Sequence, residues 1–164
     1  MRSHLRNRIT RTTAAVIVAA ASTLGLAALG AGEGSAAPIP PGGSSAVMFI
    51  NNKTGWPLNL ENFPNTSVGA GSSLDVRWID APPAVLAPGA TAVVSAWAAN
   101  PADMGVDVTY SYNYRFGSHV SYTSSLGHIL GFTNTIGTKA SPGESVQANI
   151  LQFGAASKAA FTLS

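Results

Sequence analysis

Short apolar runs alternate with turn residues along most of the chain, and no stretch shows the 3.6-residue period of an amphipathic helix. The clearest alternation lies at 106–116, where every second side chain is apolar or aromatic. That face carries Val108, Tyr110, Tyr112, Tyr114 and Phe116. The segment 119–126 alternates in the same way after Gly117-Ser118, so the two segments predict a β-hairpin.

Other segments carry weaker versions of the same strand pattern and are separated by glycine, proline and asparagine. The further predicted strands are 46–51, 56–62, 73–79, 91–98, 146–153 and 159–163. The segment 127–145 shows no alternation and is predicted to be a long irregular loop. About eight short strands in a chain of this size predict an all-β fold, an antiparallel β-sandwich.

The N-terminal segment 1–37 has the three zones of a secretory signal peptide. Four arginines precede an uncharged, mostly apolar run from Ala14 to Leu29, and small or polar residues follow. Cleavage is predicted after Ala36 or Ala37, because small residues stand at the first and third positions before each bond. The alternative is a retained signal anchor, but the apolar run has 16 residues and a membrane span needs about 20.

Cleavage would leave 127 residues, which we divide into a Pro/Gly/Ser linker at 38–45 and one sandwich domain at 46–164. Such a length can bury a core without cross-links, and the sequence contains no cysteine. The five basic and six acidic residues after the leader form no basic cluster, so we predict no nucleic-acid partner. We expect the protein to be secreted or exported to the cell envelope.

Candidate catalytic and metal-binding residues are few. His119 and His128, the histidines after the leader, are nine residues apart, and both are predicted to be exposed turn residues because a metal site needs three or four ligands. Asp103 and Asp107 lack the alternating oxygen donors of a calcium loop. No serine lies in Gly-x-Ser-x-Gly. We therefore predict no catalytic residue, no metal ligand and no cofactor.

The aromatic residues are the candidates for ligand binding. Because the other face of 106–116 is polar, the tyrosines must face inward, either packed in the core or lining a groove continuous with it. We favour the core. Trp56 lies beside Pro57 in a turn and is expected at the surface. The candidate ligand-binding residues are Trp56, Trp97, Tyr110, Tyr112, Tyr114 and Tyr122.

A series of turn and strand-end motifs occurs in a fixed order over a little under half of the chain after the leader. The series comprises Asn-Asn-Lys-Thr-Gly from Asn51, Trp78, Pro82-Pro83, Pro-Gly-Ala-Thr-Ala from Pro88, Gly105, and Val-Thr-Tyr ending at Tyr110. It resembles the aegerolysins and the related small bacterial crystal-protein cytolysins. The resemblance implies a β-sandwich that binds a surface, since several members bind membrane lipids and some act in pore formation with a partner. The segments 65–73 and 127–145 depart from the family pattern, so the resemblance carries over no binding residue.

Three functions are compatible with these features. The first is a secreted, non-enzymatic binding module that recognises a membrane lipid or a surface glycan. The second is an exported, envelope-associated structural protein whose partners are other proteins. The third, which has the least support, is a small hydrolase that would depend on His119 or His128.

Overall fold

The computed structural model describes residues 38–64, 76–101, 103–114 and 117–164. The predicted signal peptide at 1–37, the glycine- and serine-rich segment at 65–73, and Phe116 lie outside the described residues. The described chain is all-β, and its two sheets pack face to face. The prediction of an all-β sandwich is therefore confirmed. None of these residues forms a helix long and apolar enough to cross a membrane.

Eleven strands form in the described residues, more than the eight predicted. They are β1 (Ser44–Asn52), β2 (Leu58–Asn62), β3 (Arg77–Asp80), β4 (Val85–Leu86), β5 (Thr91–Ala98), β6 (Met104–Asn113), β7 (His119–Ile129), β8 (Phe132–Asn134), β9 (Lys139–Ala140), β10 (Val146–Gln152) and β11 (Ala156–Leu163). The first sheet has the order β10-β11-β1-β5-β3, and the second has the order β4-β2-β6-β7-β8, with β9 also pairing with β7. All pairs are antiparallel except β1 and β11, which run parallel.

One apolar core fills the space between the sheets. Burial alternates at every residue of β1, as period-two geometry requires when one face of a strand packs and the other does not. The largest fully buried side chains come from both sheets, with Met48, Ile50 and Phe161 from the first sheet and Tyr110, Tyr122 and Leu126 from the second. The two sheets thus form a single interior.

The prediction of a long irregular loop at 127–145 is wrong. Strand β7 continues through Gly127 and His128 to Ile129, and the chain then turns back to form β8 and β9. The alternation is hidden in the sequence because the inward face of β7 includes the polar residues Ser124 and His128, both buried. Burial of polar side chains depends on what lies opposite, which no local pattern reveals.

Three predicted boundaries also differ from the structure. Strand β1 begins at Ser44, inside the predicted linker, and β11 begins at Ala156 instead of 159. Strand β2 begins at Leu58, so Trp56 and Pro57 precede it. The linker is also closely packed at Gly43, where a side chain would collide with the carbonyl group of Ala98 and the backbone has a φ of 72°. Glycine is therefore required there.

The outward faces of the two sheets have different compositions. On the first sheet, Ala160, Phe49 and Val93 lie side by side on three neighbouring strands. They line a groove of about 350 Å³ together with Leu151, and Val93 and Leu151 are exposed. The outward face of the second sheet carries hydroxyl groups instead, among them the hydrogen-bonded pair Thr109 and Thr123.

Candidate functional site

The hairpin of β6 and β7 places its tyrosines on the inward face of the second sheet. Tyr110 and Tyr122 are directly opposite each other in the register, and both are fully buried. The Tyr110 hydroxyl donates a hydrogen bond of 2.9 Å to the Pro83 carbonyl oxygen. Because burial disfavours the phenolate, the pKa of Tyr110 and the pKa of Tyr122 are raised well above the ordinary tyrosine range. These two residues are core, as we favoured from the sequence.

Exposure increases along the same stripe toward the end of β6. Tyr110 is 0% exposed, Tyr112 is 8% exposed and Tyr114 is 50% exposed. Tyr114 follows the last residue of β6, where the strand has ended. The tyrosine stripe therefore leads from the core, where Tyr110 lies as favoured, to the solvent at Tyr114.

The loop after β1 brings Trp56 to the exposed end of this stripe. The buried Asn52 amide donates hydrogen bonds to the carbonyl oxygens of Trp56 (2.8 Å) and Leu86 (2.9 Å). Its carbonyl oxygen accepts hydrogen bonds from the backbone N–H (3.0 Å) and the hydroxyl (2.7 Å) of Thr54. This Asx turn explains why threonine follows two residues after the asparagine here. As expected, Trp56 lies at the surface, with 46% of its area exposed.

Trp56, Tyr112, Tyr114 and Tyr122 form one continuous cluster, which we call the aromatic ladder. The ring of Tyr112 stacks on Trp56 at 6.0 Å and on Tyr122 at 6.5 Å, with interplanar angles of 17° and 21°. Tyr114 meets Trp56 edge-on at 5.9 Å and 83°. Both arrangements are favourable for aromatic quadrupoles and hold the rings in place. The ladder has a buried base at Tyr122 and a solvent-exposed top at Trp56 and Tyr114.

A carboxylate lies at the base of the ladder. Glu144, in the turn before β10, accepts a hydrogen bond of 2.6 Å from the Tyr122 hydroxyl. The pKa of Tyr112 is also raised, mainly by burial and then by the negative charge of Glu144, and a hydrogen bond with Tyr122 acts in the opposite direction. Near neutral pH the phenols of Tyr112 and Tyr122 are therefore uncharged and can donate hydrogen bonds.

The sequence reasoning missed Glu144 and Asn52 as members of this site. Glu144 lies in the segment predicted to be a loop, and β9 brings that segment back across β7. Asn52 was noted as part of a turn motif, but its side chain is the centre that holds the Trp56 loop. An asparagine two residues before threonine is the local signal that could have identified it.

Trp97, the sixth predicted site residue, lies elsewhere. Its ring is on the outward face of the first sheet, where Arg77 stacks over it with 4.6 Å between the guanidinium carbon and the ring centroid. The indole N–H donates a hydrogen bond of 2.8 Å to the Gly42 carbonyl oxygen. Trp97 thus attaches the linker to the sheet and has no contact with the aromatic ladder.

The two histidines have different environments. His119 is exposed, and its two ring nitrogens lie 3.3 Å from the Asn113 side-chain oxygen and 3.2 Å from a Glu61 carboxylate oxygen. The prediction that His128 is an exposed turn residue is wrong, since it is 6% exposed within β7, near the Thr133 hydroxyl. Within the described ranges, no three His, Asp or Glu side chains are close enough to hold a metal ion.

Comparison with protein-family models, with curated proteins and with solved structures finds no match to this chain.

Proposed function

We propose that the domain is a secreted, non-enzymatic binding module that recognises a membrane lipid or a surface glycan through the aromatic ladder. The observation that carries this proposal is the continuous stack from the exposed Trp56 through Tyr112 to the buried Tyr122. The resemblance of 51–110 to aegerolysins, several of which bind membrane lipids, agrees with the same type of function.

The ladder has the physical properties of a preorganised binding surface. Trp56 is held from below by the Tyr112 ring and from behind by the Asn52 hydrogen bond to its backbone. A ring that is already fixed loses little conformational freedom when a ligand binds, so more of the contact energy becomes affinity. The exposed ring surfaces of Trp56 and Tyr114 are nearly perpendicular and form a corner.

That corner suits ligands with an apolar or cationic surface beside polar groups. Aromatic faces attract the C–H surfaces of sugars through apolar contact, and they attract ammonium headgroups through their quadrupoles. Both ligand types occur at cell surfaces, where an exported protein would meet them. The exposed pair His119 and Glu61, beside Asn113 at the end of β6, supplies polar groups near the top of the ladder.

The experiment is a panel of liposomes and immobilised glycans, probed with the wild type and with Trp56→Ala and Tyr114→Ala. We expect each variant to lose affinity several-fold, as when an aromatic anchor is removed from an interface. Trp97→Ala is the matched control on glycans and on neutral liposomes, because it also removes a tryptophan but acts on the outward face of the first sheet. Equal affinities for Trp56→Ala and wild type would contradict the proposal.

A second function is favoured by a separate observation. The groove lined by Phe49, Val93, Leu151 and Ala160 exposes apolar surface at the outward face of a sheet. Such a surface is suited to a protein partner, which agrees with the alternative of an envelope-associated interaction protein. Crosslinking of Val93→Cys in the envelope fraction tests this alternative, with Thr109→Cys on the polar sheet as the control.

A further inference from the structure

Two turns at the end of the sandwich opposite the ladder hold large apolar side chains in solvent. Leu130, in the turn between β7 and β8, is 78% exposed, and Phe132, the first residue of β8, is 75% exposed. The turn between β10 and β11 carries Phe153 at 70% exposure. We call these three residues the apolar tips. They are separated from Trp56 by the nine-residue length of β1, about 30 Å.

The apolar tips come from different sheets, and a hydrogen bond joins the two segments that carry them. The Gly154 backbone N–H donates a hydrogen bond of 2.8 Å to the Thr133 hydroxyl. Gly154 directly follows Phe153 in the chain, and Thr133 directly follows Phe132. The Asp103 carboxylate accepts a hydrogen bond of 2.8 Å from the Leu130 backbone N–H, which holds the first turn.

The backbone conformation of Leu130 is unfavourable, and its exposed side chain has little packing that could offset this cost. Its φ is 50° and that of Gly131 is 85°, so the two residues form the centre of a tight hairpin turn between the paired residues Ile129 and Phe132. Turns with two positive φ values favour Asn, Asp and Gly, and a bulky side chain is disfavoured there. The Leu130 side chain therefore stabilises neither the turn nor the core, which indicates that it contacts another molecule.

The charges near the apolar tips are suited to a negatively charged surface. Lys158 is exposed and pairs with Gln152, the residue immediately before Phe153. Arg77 lies over Trp97 near the end of β5 that is adjacent to the linker. The Asp103 carboxylate, which accepts the hydrogen bond of the Leu130 backbone N–H, offsets one of these two positive charges. At the ladder end, the carboxylates of Glu61 and Glu144 are accompanied by Lys53, which directly follows β1.

We propose that the apolar tips dock the domain on a lipid bilayer with anionic headgroups. The tips would enter the interface between headgroups and acyl chains, and Lys158 would contact the lipid phosphates. A fluid bilayer accepts separate projecting side chains without a complementary shape, whereas a protein partner must supply a matching hollow for each. The inference rests on the proposed function only in placing the domain at a cell surface, and it leaves the ladder facing away from this membrane.

The test is co-sedimentation of the domain from Pro38 to Ser164 with vesicles of equimolar phosphatidylcholine and phosphatidylglycerol. We expect the double variant Phe132→Ser/Phe153→Ser to bind these vesicles at least about ten-fold more weakly, because two large apolar groups no longer leave water. Lys158→Gln should weaken binding about five-fold on these vesicles and have no effect on phosphatidylcholine alone. Melting temperatures should remain unchanged, since all the altered side chains are exposed.

Ile136→Ser is the matched control, because Ile136 is 83% exposed but lies beside the middle of β7, where Ser125 bonds its carbonyl. An equal loss for Ile136→Ser, or no binding by the wild type, would overturn the proposal. A loss for Trp56→Ala with none for the double variant would also overturn it, while supporting lipid recognition by the ladder. As a second readout, Phe153→Trp should add a fluorescence component that brominated lipids quench.

Discussion

The two ends of the sandwich both present aromatic and apolar side chains to solvent, but they do so in different ways. At the ladder end, Trp56 and Tyr114 rest on Tyr112, and the stack continues to the buried Tyr122. At the tip end, Leu130 and Phe153 project from glycine-containing turns. The first arrangement couples surface to core, and the second separates them.

This difference has a consequence for how each end responds to mutation. A ring in the ladder has neighbours on more than one side, so its removal opens a cavity or leaves another ring unsupported. A tip loses mainly solvent contact, so its removal has little effect on the free energy of unfolding. Stability should therefore depend on the ladder end, and surface affinity on both ends.

The largest expected effect is at the base of the ladder. Tyr122→Ala removes a fully buried ring, its stack with Tyr112 and its hydrogen bond to Glu144. We expect a loss of about 3–5 kcal/mol in the free energy of unfolding, measured by urea denaturation. Phe132→Ala at the tip end is the control and should change stability by less than about 0.5 kcal/mol. Similar losses for both would remove the distinction between the two ends.

The loop that carries Trp56 should be the next most sensitive feature. Asn52→Ala removes four hydrogen bonds and leaves the carbonyl oxygen of Leu86 in a buried position without this donor. We expect a loss of about 2–3 kcal/mol in unfolding free energy. We also expect a red shift of tryptophan emission, as Trp56 leaves Tyr112. Unchanged emission would show that stacking alone is enough to hold the loop.

Alkaline pH should weaken the fold through its buried tyrosines, Tyr122 among them. The folded-state pKa of Tyr122 is raised above its unfolded value of about 10, so its stabilisation is complete below pH 10 and is lost as the pH rises toward the folded pKa. The loss should be about 1.4 kcal/mol per pH unit for each such tyrosine. Denaturation at pH 9 to 11 should show a shallower decline for Tyr122→Phe than for the wild type, and parallel declines would contradict this assignment.

The smallest expected effect has the opposite sign and is at the tip end. Leu130→Asn creates Asn-Gly at the centre of the turn, which suits its two positive φ values. We expect stability to increase by about 0.5–1 kcal/mol, together with weaker binding to anionic vesicles. A decrease in the melting temperature would indicate that the Leu130 side chain contributes packing.

Much of the fold was predictable because it depends on local alternation. The hairpin of β6 and β7 was recognised from tyrosine, valine and polar residues in strict succession, and the structure confirms it. Strands β8 and β9 were missed because they are three and two residues long, too short to show a period. Their pairing with β7 depends on contacts across the sheet.

The candidate site was less predictable than the fold. The sequence identified all four of its aromatic members, Trp56, Tyr112, Tyr114 and Tyr122. It also added Tyr110, which is core, and Trp97, which faces the other way. Glu144 was not recognised because it is 22 residues from Tyr122 along the chain. Composition reveals which side chains could bind a ligand, and only the topology reveals which of them meet.

The sequence by itself determined that this chain forms strands, since period-two burial is a property of neighbouring residues. It also determined that the fold holds without disulfides, because no cysteine is present. Only the tertiary structure decided that Tyr110 is core and Tyr114 is surface, although both follow the same alternation. The reason is physical: a side chain's burial depends on how far the opposing sheet and the Trp56 loop extend over it, and those elements are distant in the chain.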